Sequence, residues 1–207
     1  LLSGCVGNLA VRSDHLGRMS KKILYLHGFA SSPASWKVQL LASALAQRGL
    51  GERLHCPALS PVPVEAIAQA EAIINQQGRE LTLIGSSLGG FYATWLAEKH
   101  DLPAVLINPA VIAPISLHKY LGPQHNLHTG EYFEFTEAHI AQLRQMEVPT
   151  VNPAHYWLLV ETGDEVLDYR VAVERYAGCR QSVLEGGDHS FTRFPEMLPQ
   201  LIEYCGL

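Results

Sequence analysis

The chain predicts an α/β fold: a mostly parallel six-stranded sheet with helices on both faces and a small lid insertion. Three observations carry that expectation. Six short apolar runs of strand length recur along the sequence, and segments with helix-period apolar spacing separate them. One run, Leu81 to Ile84, meets the turn Gly85-Ser86-Ser87-Leu88-Gly89 and then becomes a helical pattern, which reads as strand, sharp turn, helix. Buried strands alternating with helices form a parallel sheet that binds its ligands at the strands' C-terminal ends.

The first strand is Ile23 to Leu26, running into His27-Gly28-Phe29-Ala30-Ser31-Ser32-Pro33. From Ser35 to Arg48, apolar residues at Trp36, Leu40, Leu41, Ala44 and Leu45 mark one face of a helix that stops at Gly49. A second strand falls around Leu54-His55-Cys56, closed by Pro57, and Val64 to Gln77 reads as the next helix, ending at Gly78. The glycine-serine turn follows, with its helix continuing through Phe91 to Ala97. Ala104 to Ile107 is a strand ending at Asn108-Pro109, and Tyr156 to Val160 and Gln181 to Leu184 are the last two. Helical patterns at Tyr169 to Tyr176 and Phe194 to Tyr204 complete the alternation.

The segment from Ala110 to Pro149 breaks this rhythm. It is too long for a simple connection and rich in His, Tyr and Phe, which suggests a small lid with a helix near Thr136 to Gln145. One α/β domain is expected from 19 to the C-terminus. Leu1 to Arg18 lacks clear periodicity and precedes an ordinary-looking start at Met19, so it reads as an extension, flexible or left from cloning. Leu2-Ser3-Gly4-Cys5 resembles a lipoprotein cleavage box, but no charged or apolar stretch precedes it in this sequence.

A chain of 207 residues, 47% hydrophobic and 17% charged, can bury one sizeable core. Its net charge of -5 without a basic cluster argues against a nucleic-acid partner, and no apolar run is long enough to span a membrane. A small molecule is the expected partner; oligomeric state is not readable. Cys5, Cys56, Cys179 and Cys205 are scattered without a Cys-x-x-Cys pair, which fits neither a disulfide framework nor a zinc site and points to a reducing cytoplasm. Cys56 and Cys179 read as small core residues. His125, His128 and Glu131 are three potential metal ligands in a loop without an evident fourth, so no metal or other cofactor is expected.

Chemistry concentrates at three loops. Gly-x-Ser-x-Gly fits only with Gly85 and Gly89 around Ser87, making Ser87 the candidate nucleophile. In such an elbow the serine is held at a strained backbone position above the sheet edge, and the next N–H, from Leu88, points to the same spot. The pentapeptide alone also fits a phosphate-binding turn, so the remaining loops have to decide. Thr162-Gly163-Asp164-Glu165 places an acid just past a strand end, with Val166 to anchor the loop. Gly186-Gly187-Asp188-His189 places a histidine just past the last strand. Ser87, Asp164 and His189 are nucleophile, acid and base in chain order. Glu161, Glu165 and Asp168 compete for the acid's role, and Asp188 is a poor orienter because it adjoins the histidine. The second oxyanion donor is expected from the N–H of Phe29, with Gly28 allowing close approach and His27 shaping the loop.

These blocks together resemble the α/β-hydrolases, and more closely the small bacterial YqiA-type esterases of the UPF0227 family. The residues that carry the resemblance are Tyr25 to Pro33, Ile84 to Ala93, Asn108 to Ala110, Thr162 to Tyr169 and Glu185 to Phe191. The resemblance implies an esterase, with thioesterase action on acyl-CoA as an extension, and a catalytic triad of Ser87, Asp164 and His189. Rival readings remain. An acyltransferase or a peptidase would use the same three residues, and a non-catalytic binding protein could keep the fold; a dehalogenase would need an aspartate in place of Ser87.

Overall fold

The computed structural model describes residues 21–126 and 128–207. The expectations for Leu1 to Arg18, Cys5 included, lie outside the described residues. Six parallel strands form the main sheet: β1 (Lys22–Leu26), β2 (Leu54–His55), β3 (Leu81–Ser86), β4 (Ala104–Ile107), β7 (Tyr156–Glu161) and β8 (Arg180–Leu184). They lie in the order β2-β1-β3-β4-β7-β8. The chain moves outward from β1 to β2, then returns to the other side of β1 with β3. That reversal opens a crevice at the C-terminal ends of β1 and β3, the usual ligand position in open parallel sheets.

Alternation along the strands supplies two cores. Leu24, Leu26, Leu83, Leu106, Leu158 and Val160 point to one face. There they pack on α2 (Pro63–Gln77), α3 (Leu88–His100), α5 (Glu137–Gln145) and α6 (Tyr169–Arg175). Ile23, Tyr25, Ile84, Val105, Ile107, Trp157 and Leu159 point to the other, under α1 (Trp36–Gln47) and α7 (Phe194–Tyr204). Covering both faces explains why the central strands are apolar at most positions rather than at every second one.

Several boundaries differ from the sequence reading for local reasons. A single 3₁₀ turn at Gly51–Arg53 precedes β2, which pairs with β1 over only two residues. The strand β7 runs one residue past the apolar run, ending in the charged Glu161. Cys56 and Cys179 are half-buried against the two cores, and Cys205 is the buried thiol among the described cysteines. The segment after β4 contains a short helix, α4 (Ala113–Ser116), an antiparallel hairpin of β5 (Gly122–His125) and β6 (Tyr132–Phe135), and then α5. The hairpin is not signalled by apolar alternation, since its residues are mostly exposed or half-buried. Its register, Gly122 opposite Phe135 and His125 opposite Tyr132, stacks the rings of His125 and Tyr132 at 4.5 Å.

Candidate active site

The turn after β3 is held by glycine on both sides. A Cβ on Gly85 would collide with the Gly89 backbone, and one on Gly89 would collide with the Leu26 carbonyl, so α3 can start only where both positions lack a side chain. Ser87 between them has φ 54° and ψ -119°, a strained conformation for an L-residue, which lifts its side chain off the sheet edge. Backbone bonds fix it there. The Ser87 N–H donates to the Ile107 carbonyl at 3.0 Å, while its own carbonyl accepts from Gly90 at 2.9 Å and Ala110 at 3.0 Å.

Three of the sequence-predicted side chains meet at this point. Ser87 Oγ lies 3.1 Å from His189 Nε2, and His189 Nδ1 lies 2.8 and 3.0 Å from the two oxygens of Asp164. Asp164 is also tied to its own loop: Oδ1 accepts from the N–H groups of Val166 at 2.9 Å and Leu167 at 2.8 Å. Its side chain is 1% exposed, against 23% for His189, so the acid is sealed beneath a ring that reaches solvent. With Asp164 accepting at Nδ1, the neutral ring carries its proton there and presents a lone pair at Nε2 toward the serine. The competitors for the acid's role go elsewhere. Asp168 caps α6 through Arg170 N–H, and Glu165 accepts the His189 backbone N–H at 3.0 Å. Asp188 turns to the Ser190 N–H at 2.8 Å. Val166 is 36% exposed, while its neighbour Leu167 is half-buried and packs on the core.

The loop after β1 faces this group from the other side. A Cβ at Gly28 would stand 3.3 Å from Ser87 Cβ and 3.8 Å from its Oγ, so the loop backbone runs directly past the serine. His27 is buried and bonded at both nitrogens: Nε2 accepts the Leu59 N–H at 3.0 Å, so Nδ1 carries the proton and donates to the Gly28 carbonyl at 3.1 Å. Across a trans peptide, the N–H points opposite to the carbonyl. Pinning the Gly28 carbonyl against His27 therefore turns the Phe29 N–H away from His27. Burial lowers the His27 pKa, in keeping with a ring that accepts a hydrogen bond and would lose it on protonation. The Leu88 N–H, at the first position of α3, has no partner within its own helix.

Sequence reasoning missed the scaffold under His189. Glu161 is fully buried, and its carboxylate accepts backbone N–H groups of Asp188 at 2.8 Å, Thr192 at 3.1 Å and Arg193 at 2.9 Å. Asn108 ties the same loop to β7. Its amide donates to the carbonyls of Asp188 and His189 at 3.1 and 3.2 Å, and its oxygen accepts the Glu161 N–H at 3.0 Å. Lys37, buried on the inner face of α1, donates to the Ser190 carbonyl at 2.7 Å. Burial pushes its pKa down to about 8, although Asp188 and Glu161 pull the other way. Two signals were present in the sequence: a glutamate continuing the apolar run Tyr156 to Val160, and a lysine on the helix stripe of Leu41 and Leu45.

Two cavities border the loop from His27 to Ser31. One, about 410 Å³, contains Ser87 and His189; the other, about 380 Å³, lies across the loop between Leu59, Leu88, Tyr92 and Phe133. Among the described residues no cluster of His, Cys, Asp and Glu has the arrangement of a metal site, and no helix is long and apolar enough to cross a membrane.

Solved structures share this architecture. A protein from Agrobacterium vitis S4, described provisionally as a hydrolase, superposes with a TM-score of 0.72 at 18% identity, over 92% of this chain and 89% of that one. The esterase domain of a Rhodothermus marinus protein gives 0.64 at 17% identity, over 90% and 87%. Est1E from Butyrivibrio proteoclasticus gives 0.62 at 12% identity, over 90% and 85%. At such identities the likeness concerns the fold, which is that of the α/β-hydrolases. The profile of the uncharacterised protein family UPF0227 matches residues 22–206, and the chain belongs to that family.

Proposed function

We propose that the protein is a serine hydrolase that cleaves small or medium acyl esters through an acyl-enzyme, with thioesters as a further substrate class. The observation that carries this reading is the unbroken hydrogen-bonded chain from Ser87 through His189 to Asp164, on a strained elbow at the edge of a cavity. A phosphate-binding turn would need none of these partners. Ser87 Oγ attacks the carbonyl carbon as His189 Nε2 takes its proton, and Asp164 holds the ring tautomer and stabilises the imidazolium. The N–H groups of Phe29 and Leu88 receive the negative charge on the tetrahedral oxygen. His189 then gives its proton to the departing oxygen or sulfur, and water repeats the sequence to release the acid.

In this reading the segment 110–149 is the lid. Its hairpin is tied to the oxyanion loop, since Asn126 donates to the Ser31 carbonyl at 2.9 Å and Phe135 packs on Phe29 at 4.9 Å between ring centres. The test is hydrolysis of p-nitrophenyl butyrate by the wild type and by Ser87→Ala. The substitution is expected to lower kcat by roughly 10⁴–10⁶-fold with KM little changed. Full turnover by the variant would end the proposal.

A further inference from the structure

The cavity that contains Ser87 and His189 is also lined by two buried polar side chains whose bonding capacity the proposed reaction leaves unused. Lys37 is 8% exposed, and its ammonium donates to the Ser190 carbonyl at 2.7 Å, which occupies one of three N–H donors. The Tyr25 side chain is 1% exposed. Its hydroxyl has no hydrogen-bond partner among the described residues, although Ser86 lies close enough to act on its ionisation. We propose that these two groups bind a carboxylate of the substrate, so that the protein acts on esters bearing one negative charge near the scissile bond. The assignment rests on the serine-hydrolase reading of the same cavity.

Lys37 carries its charge without a contacting counter-charge. Asp188 and Glu161 act on it only from a distance, and burial outweighs them, leaving its pKa at about 8. Both acids are committed elsewhere. Glu161 accepts the backbone N–H groups of Asp188, Thr192 and Arg193, and Asp188 accepts the Ser190 N–H at 2.8 Å. Taking an ammonium out of water without a paired anion is costly, and a hydroxyl buried without a partner adds to that cost. A carboxylate in the cavity would offset both.

The two groups also stand where a substrate could meet them. Tyr25 points from β1 into the core beneath α1, and Lys37 lies on the buried face of that helix, beside Val38. Tyr25 neighbours Ser86, which precedes the proposed nucleophile, and Lys37 is bonded to the carbonyl of Ser190, which follows His189. Ser87 Oγ and His189 Nε2 are themselves 3.1 Å apart. A carboxylate held by Lys37 and Tyr25 is therefore close in the same cavity to a carbonyl carbon on Ser87. No Asp or Glu lines that cavity to repel it. One ammonium and one phenol suit the single charge and two oxygens of a carboxylate. A phosphate monoester would bring a second charge, and no Lys or Arg besides Lys37 lines the cavity.

The experiment measures kcat/KM for two pairs of esters, following release of the phenol. One pair is p-nitrophenyl hydrogen adipate and its methyl ester, with the carboxylate on the acyl part; the other is 4-carboxyphenyl butyrate and its methyl ester, with the carboxylate on the alcohol part. In the wild type, the charged member of one pair is expected to be hydrolysed at least as well as its uncharged partner. In that pair Lys37→Met is expected to lower the charged-to-uncharged ratio by about tenfold or more, and Tyr25→Phe by about threefold or more. Tyr25→Phe keeps the ring and removes a hydroxyl that bonds to nothing, so with the wild type it decides the matter should Lys37→Met fail to fold. Ratios below one in both pairs, or a ratio that either folded variant leaves unchanged, would overturn the assignment. Equal losses on both esters of a pair in Lys37→Met are such a result, since they are what holding the His189 loop alone would give. Labelling of wild-type Ser87 by a fluorophosphonate separates the two failures. Labelled protein with any of those results rejects the carboxylate site alone, and unlabelled protein rejects the serine reading beneath it.

Discussion

Replacing Glu161 by glutamine probes how the proposed base, His189, is held in place. The carboxylate accepts three backbone N–H groups from the loop that carries His189, two on Oε2 and one on Oε1, with the Thr192 hydroxyl at 3.4 Å as a fourth donor. Glutamine keeps the volume. If its oxygen serves Asp188 and Thr192, its NH₂ faces the Arg193 N–H, which loses its acceptor and meets another donor. One charge-assisted bond lost in a fully buried site corresponds to roughly 2–3 kcal/mol. For a domain of this size that is a fall in Tm of about 5–10 °C. The loosened loop should also misplace the imidazole, and a displacement of about 1 Å can lower a rate about 10²-fold. The expected outcome, measured with p-nitrophenyl butyrate at 20 °C on protein shown to be folded, is kcat down about 10–100-fold and KM within about twofold. A lower Tm with kcat unchanged would refute the reasoning, because Asn108 and Lys37 would then suffice to aim His189. Glu161→Leu is less informative: three buried N–H groups without an acceptor would each cost about 1–3 kcal/mol, a large part of a typical total stability.

Other consequences follow from the same geometry. Asp164→Asn can donate rather than accept at His189 Nδ1, which reverses the ring tautomer; kcat should fall by about 10⁴-fold with the fold intact by circular dichroism. Gly89→Ala places a methyl against the Leu26 carbonyl, and soluble, folded yield should collapse even though no group of the proposed triad is changed. Lys37 has a folded pKa near 8, below its unfolded 10.5, so the unfolded chain holds more protons between those values and stability rises with pH across them. Urea denaturation of wild type and Lys37→Met should show the wild type gaining relative to the variant from pH 8 to 10.5. A constant difference would contradict a desolvated ammonium at this position.

What the sequence makes legible is what local chemistry encodes. Gly85 and Gly89 announce the elbow because no side chain fits where α3 meets the ends of β1 and β3. The strands β3, β4 and β7 announce a sheet buried on both faces because every position in them is apolar or small except near their ends. The positions of Asp164 and His189 follow from strand ends in a parallel sheet, which bring distant loops to one edge. The hairpin of β5 and β6 escapes the same reading because it is two-stranded, surface-lying and not patterned by a core. The roles of Glu161 and Asn108 escape it for another reason. Their partners are backbone groups 27 to 81 positions away, and backbone groups leave no trace in residue type. Val166, expected to anchor the acid's loop, is exposed while its neighbour Leu167 turns inward, a distinction set by how the loop leaves β7.

The most direct test of the account is the fate of one oxygen atom. Treating the protein with a fluorophosphonate and sequencing its peptides by mass spectrometry should give a single adduct on Ser87, with ester hydrolysis lost in proportion to labelling and no adduct in His189→Ala. Hydrolysis that persists in fully modified protein, or an adduct on another residue that accompanies the loss of activity, would contradict it.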